Sequence, residues 1–270
     1  MDQVKNIIAI ASGKGGVGKS TTAVNLALAL QNTGARVGLL DADIYGPSQP
    51  MMLGIADDIR PKQLNEQFIA PVMAFGLQTM SIGYLVTEST AMAWRGPMAA
   101  GALQQLLTQT RWDNLDYLII DLPPGTGDIQ LTLSQKVPVT GAIIVTTPQD
   151  IALIDAKKAI EMFTKVEVPV LGIVENMAVY ICSECGHQEH LFGAEGGARM
   201  ADQYGVPLLG ALPLDLSIRE NADAGTPTVA SQPESQIAGL YGDIATDVIA
   251  ALQAVDEISA SLPTITIKND

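Results

Sequence analysis

The chain has 270 residues, enough for one large domain whose core needs no cross-links. Apolar residues supply 47% of it and aromatics only 4%, so the core has to be built from Ala, Val, Ile, Leu and Met, which points to an α/β protein and away from an aromatic-rich β-sandwich. The formal charge of −14 repels phosphate backbones and anionic lipid alike, so neither nucleic acid nor a membrane surface is an expected partner.

The first apolar run, residues 7–11, is too short for a signal-peptide core and lacks a cleavage pattern. No stretch approaches the ~18 uninterrupted apolar residues that a membrane helix needs, so a soluble, cytoplasmic protein is expected. Residues 7–11 read instead as a strand, and further unbroken apolar runs follow at 37–40, 117–120, 142–146, 170–174 and 208–212. Unbroken runs, unlike alternating ones, are what a parallel sheet covered on both faces requires. Helix-like segments lie between them at 20–31, 99–108, 151–164 and 197–204. Near the end Ile237, Leu240, Ile244, Val248, Leu252 and Val255 recur at helical spacing. The alternation predicts a doubly wound, mainly parallel α/β sheet with helices on both faces, forming a single domain over residues 1–270. A flexible tail is expected after residue 260. Residues 47–98 are less regular and hold six of the ten methionines.

Straight after the first strand stands Gly13-Lys14-Gly15-Gly16-Val17-Gly18-Lys19-Ser20-Thr21, which fits G-x-x-x-x-G-K-S/T between a strand and a helix. The glycines let successive N–H groups turn toward phosphate oxygens, and the helix adds the positive end of its dipole. In such a loop Lys19 bridges the β- and γ-phosphates of ATP and the Ser20 hydroxyl ligates Mg²⁺. Lys14 departs from a plain phosphate loop. With it the segment resembles the deviant Walker A of the dimeric P-loop ATPases, in which the early lysine reaches across a dimer interface to the partner's nucleotide. The resemblance implies that Lys14 neutralises charge developing on the γ-phosphate, much as an arginine finger does.

Acids stand at the ends of two strands, where a parallel sheet opens its ligand crevice. By the same resemblance, Asp43 of Asp41-Ala42-Asp43 orients or activates the attacking water, with Asp41 nearer the magnesium shell. Asp121, opening Asp121-Leu122-Pro123-Pro124-Gly125-Thr126-Gly127-Asp128, fits the end of a Walker B strand and would hold Mg²⁺ through water. Asn176 sits where this class reads adenine with an amide, and Pro213 and Asp215 where a loop packs the base. Acids at strand ends also serve as helix caps or turn formers, a reading that weighs more for Asp41 than for Asp121, and an Asn in a turn needs no ligand.

Cys182 and Cys185 are the only cysteines and lie within nine positions of the only histidines, His187 and His190. Two cysteines cannot make a disulfide scaffold. A C-x-x-C turn brings both sulfurs to one side, which marks residues 180–193 as a metal-binding segment, but zinc sites and iron–sulfur clusters generally take four ligands. Two arrangements meet that count: Cys182, Cys185, His187 and His190 within one chain, or two cysteine pairs facing each other across a two-fold axis. The first is tight for one ion, and the second agrees with the dimer that Lys14 implies. A redox-active dithiol, or two inert thiols, is the plainer alternative.

The deviant phosphate loop, Asp41-Ala42-Asp43-Ile44-Tyr45-Gly46-Pro47-Ser48, Trp94-Arg95-Gly96-Pro97-Met98, the Asp121 segment and Cys182-Ser183-Glu184-Cys185-Gly186-His187 followed by Phe192-Gly193 together resemble the Mrp/ApbC iron–sulfur cluster carriers. The resemblance spans roughly residues 4 to 255. It implies a homodimeric ATPase that binds a [4Fe–4S] cluster between its subunits, receives it from scaffold proteins and passes it to apoproteins, with slow ATP hydrolysis governing assembly or release. Many bacterial members carry an additional small N-terminal domain, so any docking done by that domain is expected to come from a separate protein or to be absent. The rival is a zinc-bridged dimeric ATPase acting as a targeting chaperone, with the methionines of residues 51–98 as a soft groove. Pro61, Pro71 and Pro97 interrupt that stretch, which favours a core or switch-proximal role for those methionines. A basic amphipathic helix or DNA-binding face, as in membrane-docking and partition ATPases, is not expected: residues 220–267 contain no Lys or Arg.

Overall fold

The computed structural model describes residues 3–85, 96–127, 130–131, 137–182 and 184–261. Trp94, Arg95, Asp128 and the tail beyond residue 261 lie outside these described residues.

One sheet organises the chain. Its strands are β1 (Val4–Ala11), β2 (Val37–Asp41), β3 (Val72–Ala74), β4 (Leu77–Ser81), β5 (Leu115–Asp121), β6 (Gly141–Thr146), β7 (Val170–Glu175) and β10 (Leu208–Ala211). They lie in the order β10-β7-β6-β1-β5-β2-β4-β3. Every pairing is parallel except that of the edge strand β3 with β4. A separate hairpin pairs β8 (Tyr180–Ile181) with β9 (Gln188–Glu189).

The eight helices are α1 (Lys19–Asn32), α2 (Gln49–Met52), α3 (Gly96–Gln109), α4 (Asp150–Lys165), α5 (Gly196–Tyr204), α6 (Leu216–Asp223), α7 (Thr228–Ser231) and α8 (Gln236–Ser261), counted among the described residues. The pleat sends successive strand residues to opposite faces, so β1 places Ile7, Ala9 and Ala11 in one core and Ile8 and Ile10 in the other. The first core is completed by Leu103 and Leu106 of α3, Phe163 of α4 and Met200 of α5. The second is completed by Leu26 and Leu30 of α1 and by Tyr241, Ile244 and Val248 of α8. Covering on both faces is why the strands read as unbroken apolar runs.

The register sets up the site. Asp41 at the end of β2 pairs with Asp121 of β5 on one side and Ser81 of β4 on the other. Ile10 pairs with Asp121, so the loop after β1 leaves the sheet at the same level. The expected strands and long helices are all present, their ends moved by a few residues. Beyond them stand β3, β4, α2, α6, α7 and the β8–β9 hairpin. Among the described residues no helix is long and apolar enough to cross a membrane.

Candidate functional site

The loop between β1 and α1 is fixed by close packing. A Cβ on Gly13 would come within 2.1 Å of the Asp155 carbonyl carbon in α4, so only glycine lets the loop pass. Gly18 has φ +83° and would drive a Cβ to 2.1 Å from Asn176 Nδ2. Gly16 also has positive φ, at +81°. Asn176, just past β7, donates from that Nδ2 to the Val17 carbonyl at 2.9 Å. One of its amide hydrogens is therefore spent on holding the phosphate loop, a task the sequence did not disclose. A cleft of about 330 Å³ opens beside it, lined by Gly16, Gly18, Thr21, Asn176, Pro213 and Asp215 among others. Asp215 is also the N-cap of α6, accepting from the Ser217 N–H at 2.8 Å.

Lys19 is buried, and its ammonium pairs with Asp121 Oδ1 and lies 3.2 Å from Ser20 Oγ. Asp121 Oδ2 accepts from Gln49 Nε2 at 2.9 Å, so both oxygens of this fully buried carboxylate are engaged. Asp41, equally buried, accepts from the backbone N–H of Asp43 and of Gln49 and from Ser81 Oγ, each at 3.1 Å. Burial first, and then the charge of Asp121, push its carboxyl up to about 8. Asp43 is half-buried and also raised, chiefly by burial. Among the described residues Lys14 has no carboxylate within ion-pair distance. Ser20, Asp41 and Asp121 offer only oxygen ligands, and Gln49 Oε1 beside them is buried without a donor. That chemistry fits a hard, hydrated dication such as Mg²⁺.

The thiols lie on the β8–β9 hairpin. The Cys182 N–H donates to the His187 carbonyl at 2.9 Å, and the Gly186 N–H donates to the Cys182 carbonyl at 2.8 Å. N–H groups of Cys185, first, and Glu184 point at the Cys182 sulfur and hold its thiol below the ordinary range. Cys185 is exposed. The arrangement of four ligands in one chain does not form. His190 Nδ1 faces the Ala178 carbonyl at 2.7 Å, and among the described residues no group of three or more His, Cys, Asp and Glu is placed to hold a metal ion. Each chain presents two thiols.

The hairpin and the cleft share a backbone. The Ala178 N–H donates to Leu212 O at 2.9 Å, the Leu214 N–H to Val179 O at 2.8 Å, and Tyr180 bridges to Leu214. The segment from Asn176 to Cys182 thus touches the phosphate loop at one end and carries a thiol at the other. Gln49 and this strap were not singled out in the sequence, because both arise from contacts between distant segments.

Comparison with known proteins places these features in a family. The chain is 64% identical over 242 residues to the iron–sulfur cluster carrier protein of Pseudomonas fragi, covering 90% of this chain and 84% of that one. It is 63% identical over 255 residues to the protein of the same name from Escherichia coli K12, with 94% and 69% covered. The iron–sulfur cluster transfer protein NUBPL of Mus musculus is 50% identical over 259 residues, with 95% and 81% covered. Among solved structures, a nucleotide-binding protein from Archaeoglobus fulgidus in complex with ADP superposes with a TM-score of 0.74 at 38% identity, over 83% of this chain and 88% of that one. The septum site-determining protein MinD of Pyrococcus horikoshii, complexed with Mg-ADP, gives 0.69 at 25% identity, over 96% and 100%. The family model of ParA-type NUBPL iron-transfer P-loop NTPases matches residues 3–249, and the chain belongs to that family.

Proposed function

We propose that the protein is an ATP-dependent iron–sulfur cluster carrier. Two subunits hold one [4Fe–4S] cluster between their Cys182 and Cys185 pairs, accept it from scaffold proteins and pass it to apoproteins. The observation that carries this reading is the hairpin: two thiols, and no third ligand among the described residues, on an exposed turn tied to the wall of the nucleotide cleft. Half of a four-thiolate site per chain is completed by a second copy. A cargo held at the surface by so few residues suits transfer over storage. The names of the relatives favour a carrier over the zinc-bridged targeting chaperone.

The nucleotide side follows from the loop. N–H groups of residues 15–20 and the α1 dipole hold the phosphates, and Lys19 turns from Asp121 to the β- and γ-oxygens. Asn176, Pro213 and Asp215 form the wall against the base. Ser20, and Asp121 through water, would hold magnesium, which would supply charge neutralisation on the phosphates. Asp43 orients the attacking water, and Lys14 of each subunit stabilises the charge forming on the nucleotide of the other. Hydrolysis is slow on this reading because its charge-neutralising lysine arrives only when two subunits close together.

The test is anaerobic reconstitution with iron and sulfide, followed by absorbance and metal analysis. The expected result is one [4Fe–4S] cluster per two chains in wild type and none retained by Cys182→Ala. A colourless wild-type dimer holding zinc would overturn the cluster reading, and a monomer holding the full cluster would overturn the shared site.

A further inference from the structure

Gln49 opens α2 and is 1% exposed, yet nothing in the phosphate-loop motif asks for it. Its Nε2 donates to the Ser20 carbonyl at 3.0 Å and to Asp121 Oδ2 at 2.9 Å. A carbonyl and a carboxylate oxygen can only accept here, so chemistry fixes the amide's orientation: the nitrogen faces this pair and Oε1 is turned away from it. That Oε1 is buried without a donor, and so is the neighbouring Ser48 Oγ. The backbone N–H of Gln49 donates to Asp41 Oδ2 at 3.1 Å. One side chain and its own N–H therefore join the residue after Lys19, the acid of β5 and the acid of β2.

A neutral amide is suited to that position. A carboxylate there would add a negative charge beside Asp121 and the buried Asp41, and an apolar chain would leave Asp121 Oδ2 without its donor. A buried acceptor with no donor is costly, and in a native structure an ion or an ordered water is among the groups that complete it. A hydrated dication brings donors in its water shell.

We propose that Gln49 is a positioning residue of the magnesium site: its Nε2 sets the Asp121 carboxylate against Ser20, and its Oε1 is the acceptor for a donor that arrives with the cation. This rests on the reading of Ser20 and Asp121 as the magnesium pair. The test uses the full chain and a fluorescent ATP analogue, and takes the ratio of its affinity in magnesium to its affinity in EDTA. Gln49→Met, close in length and without polar atoms, is expected to weaken binding about tenfold more in magnesium than in EDTA, which lowers that ratio about tenfold. Gln49→Glu keeps an oxygen but adds charge, so binding in EDTA weakens, magnesium restores it, and the ratio rises above wild type. A purely structural role gives neither the split nor the opposite signs. A wild-type ratio in both variants overturns the inference, and so does an equal loss of affinity in magnesium and in EDTA. If the wild-type chain itself binds equally well in both, the magnesium pair falls together with Gln49, which separates that failure from the failure of Gln49 alone.

Discussion

Among single residues, Asp41 and Gln49 mark the limit of what a motif can reveal. The phosphate loop is legible because its glycines, lysines and Ser20 are contiguous and their chemistry is local. Gln49 acquires its role only when folding brings Ser20, 29 positions away, and Asp121, 72 positions away, into hydrogen-bonding range. Asp41 is placed near the magnesium shell by resemblance, and the structure commits its carboxylate to three donors in a site with no solvent exposure. Its pKa of about 8 carries a stability consequence. Between the ordinary value of 3.8 and about 8 the folded chain keeps a proton that the unfolded chain has lost, so the protein without nucleotide loses stability as pH rises through that window. Asp41→Asn cannot titrate and escapes the loss. Melting temperatures at about pH 5 and about pH 8 should therefore shift in favour of the variant at the higher pH, and parallel profiles would show that Asp41 does not titrate there.

Elements buried on both faces were readable, and those stabilised by particular partners were not. β1, β2, β5, β6 and β7 advertise themselves through unbroken apolar runs. β4 hides because Thr79 and Ser81 break its pattern, and both are buried only because Val72 O and Asp41 Oδ2 accept their hydroxyls, at 2.7 and 3.1 Å. α6 and α7 are short, with little apolar periodicity to find. The β8–β9 hairpin was signalled by C-x-x-C, but the turn that carries its thiols closes at Gly186, whose N–H donates to the Cys182 carbonyl and whose φ is +71° with nothing within 4 Å of a Cβ position. Gly186→Ala therefore meets no clash and suffers only left-handed strain, about 1–2 kcal/mol. The hairpin should relax away from its thiol-presenting turn, so reconstituted cluster is lost faster to a chelator than from wild type, with nucleotide affinity unchanged. Equal cluster retention would show that the turn is not what holds the thiols in place.

For the molecule as a whole, the formal charge of −14 per chain acts against the dimer that the proposed function requires. Two such chains repel over about 8–10 Å at ordinary ionic strength, and added salt screens that repulsion. Sedimentation analysis should show dimerisation strengthening as salt rises from about 50 to about 500 mM; weakening would mean that opposite-charge pairs across the interface outweigh the net repulsion. The strap from Asn176 to Cys182 sets a different constraint. Because Asn176 is anchored to Val17 O, and Ala178 and Val179 are paired in register with the chain at 212–214, the number of residues between the amide and the thiol is fixed. Inserting a single residue after Val179 would reverse which side of the hairpin every following side chain occupies. This stretch should therefore admit substitutions far more readily than insertions or deletions, which makes its length, more than its sequence, the quantity to preserve in any redesign.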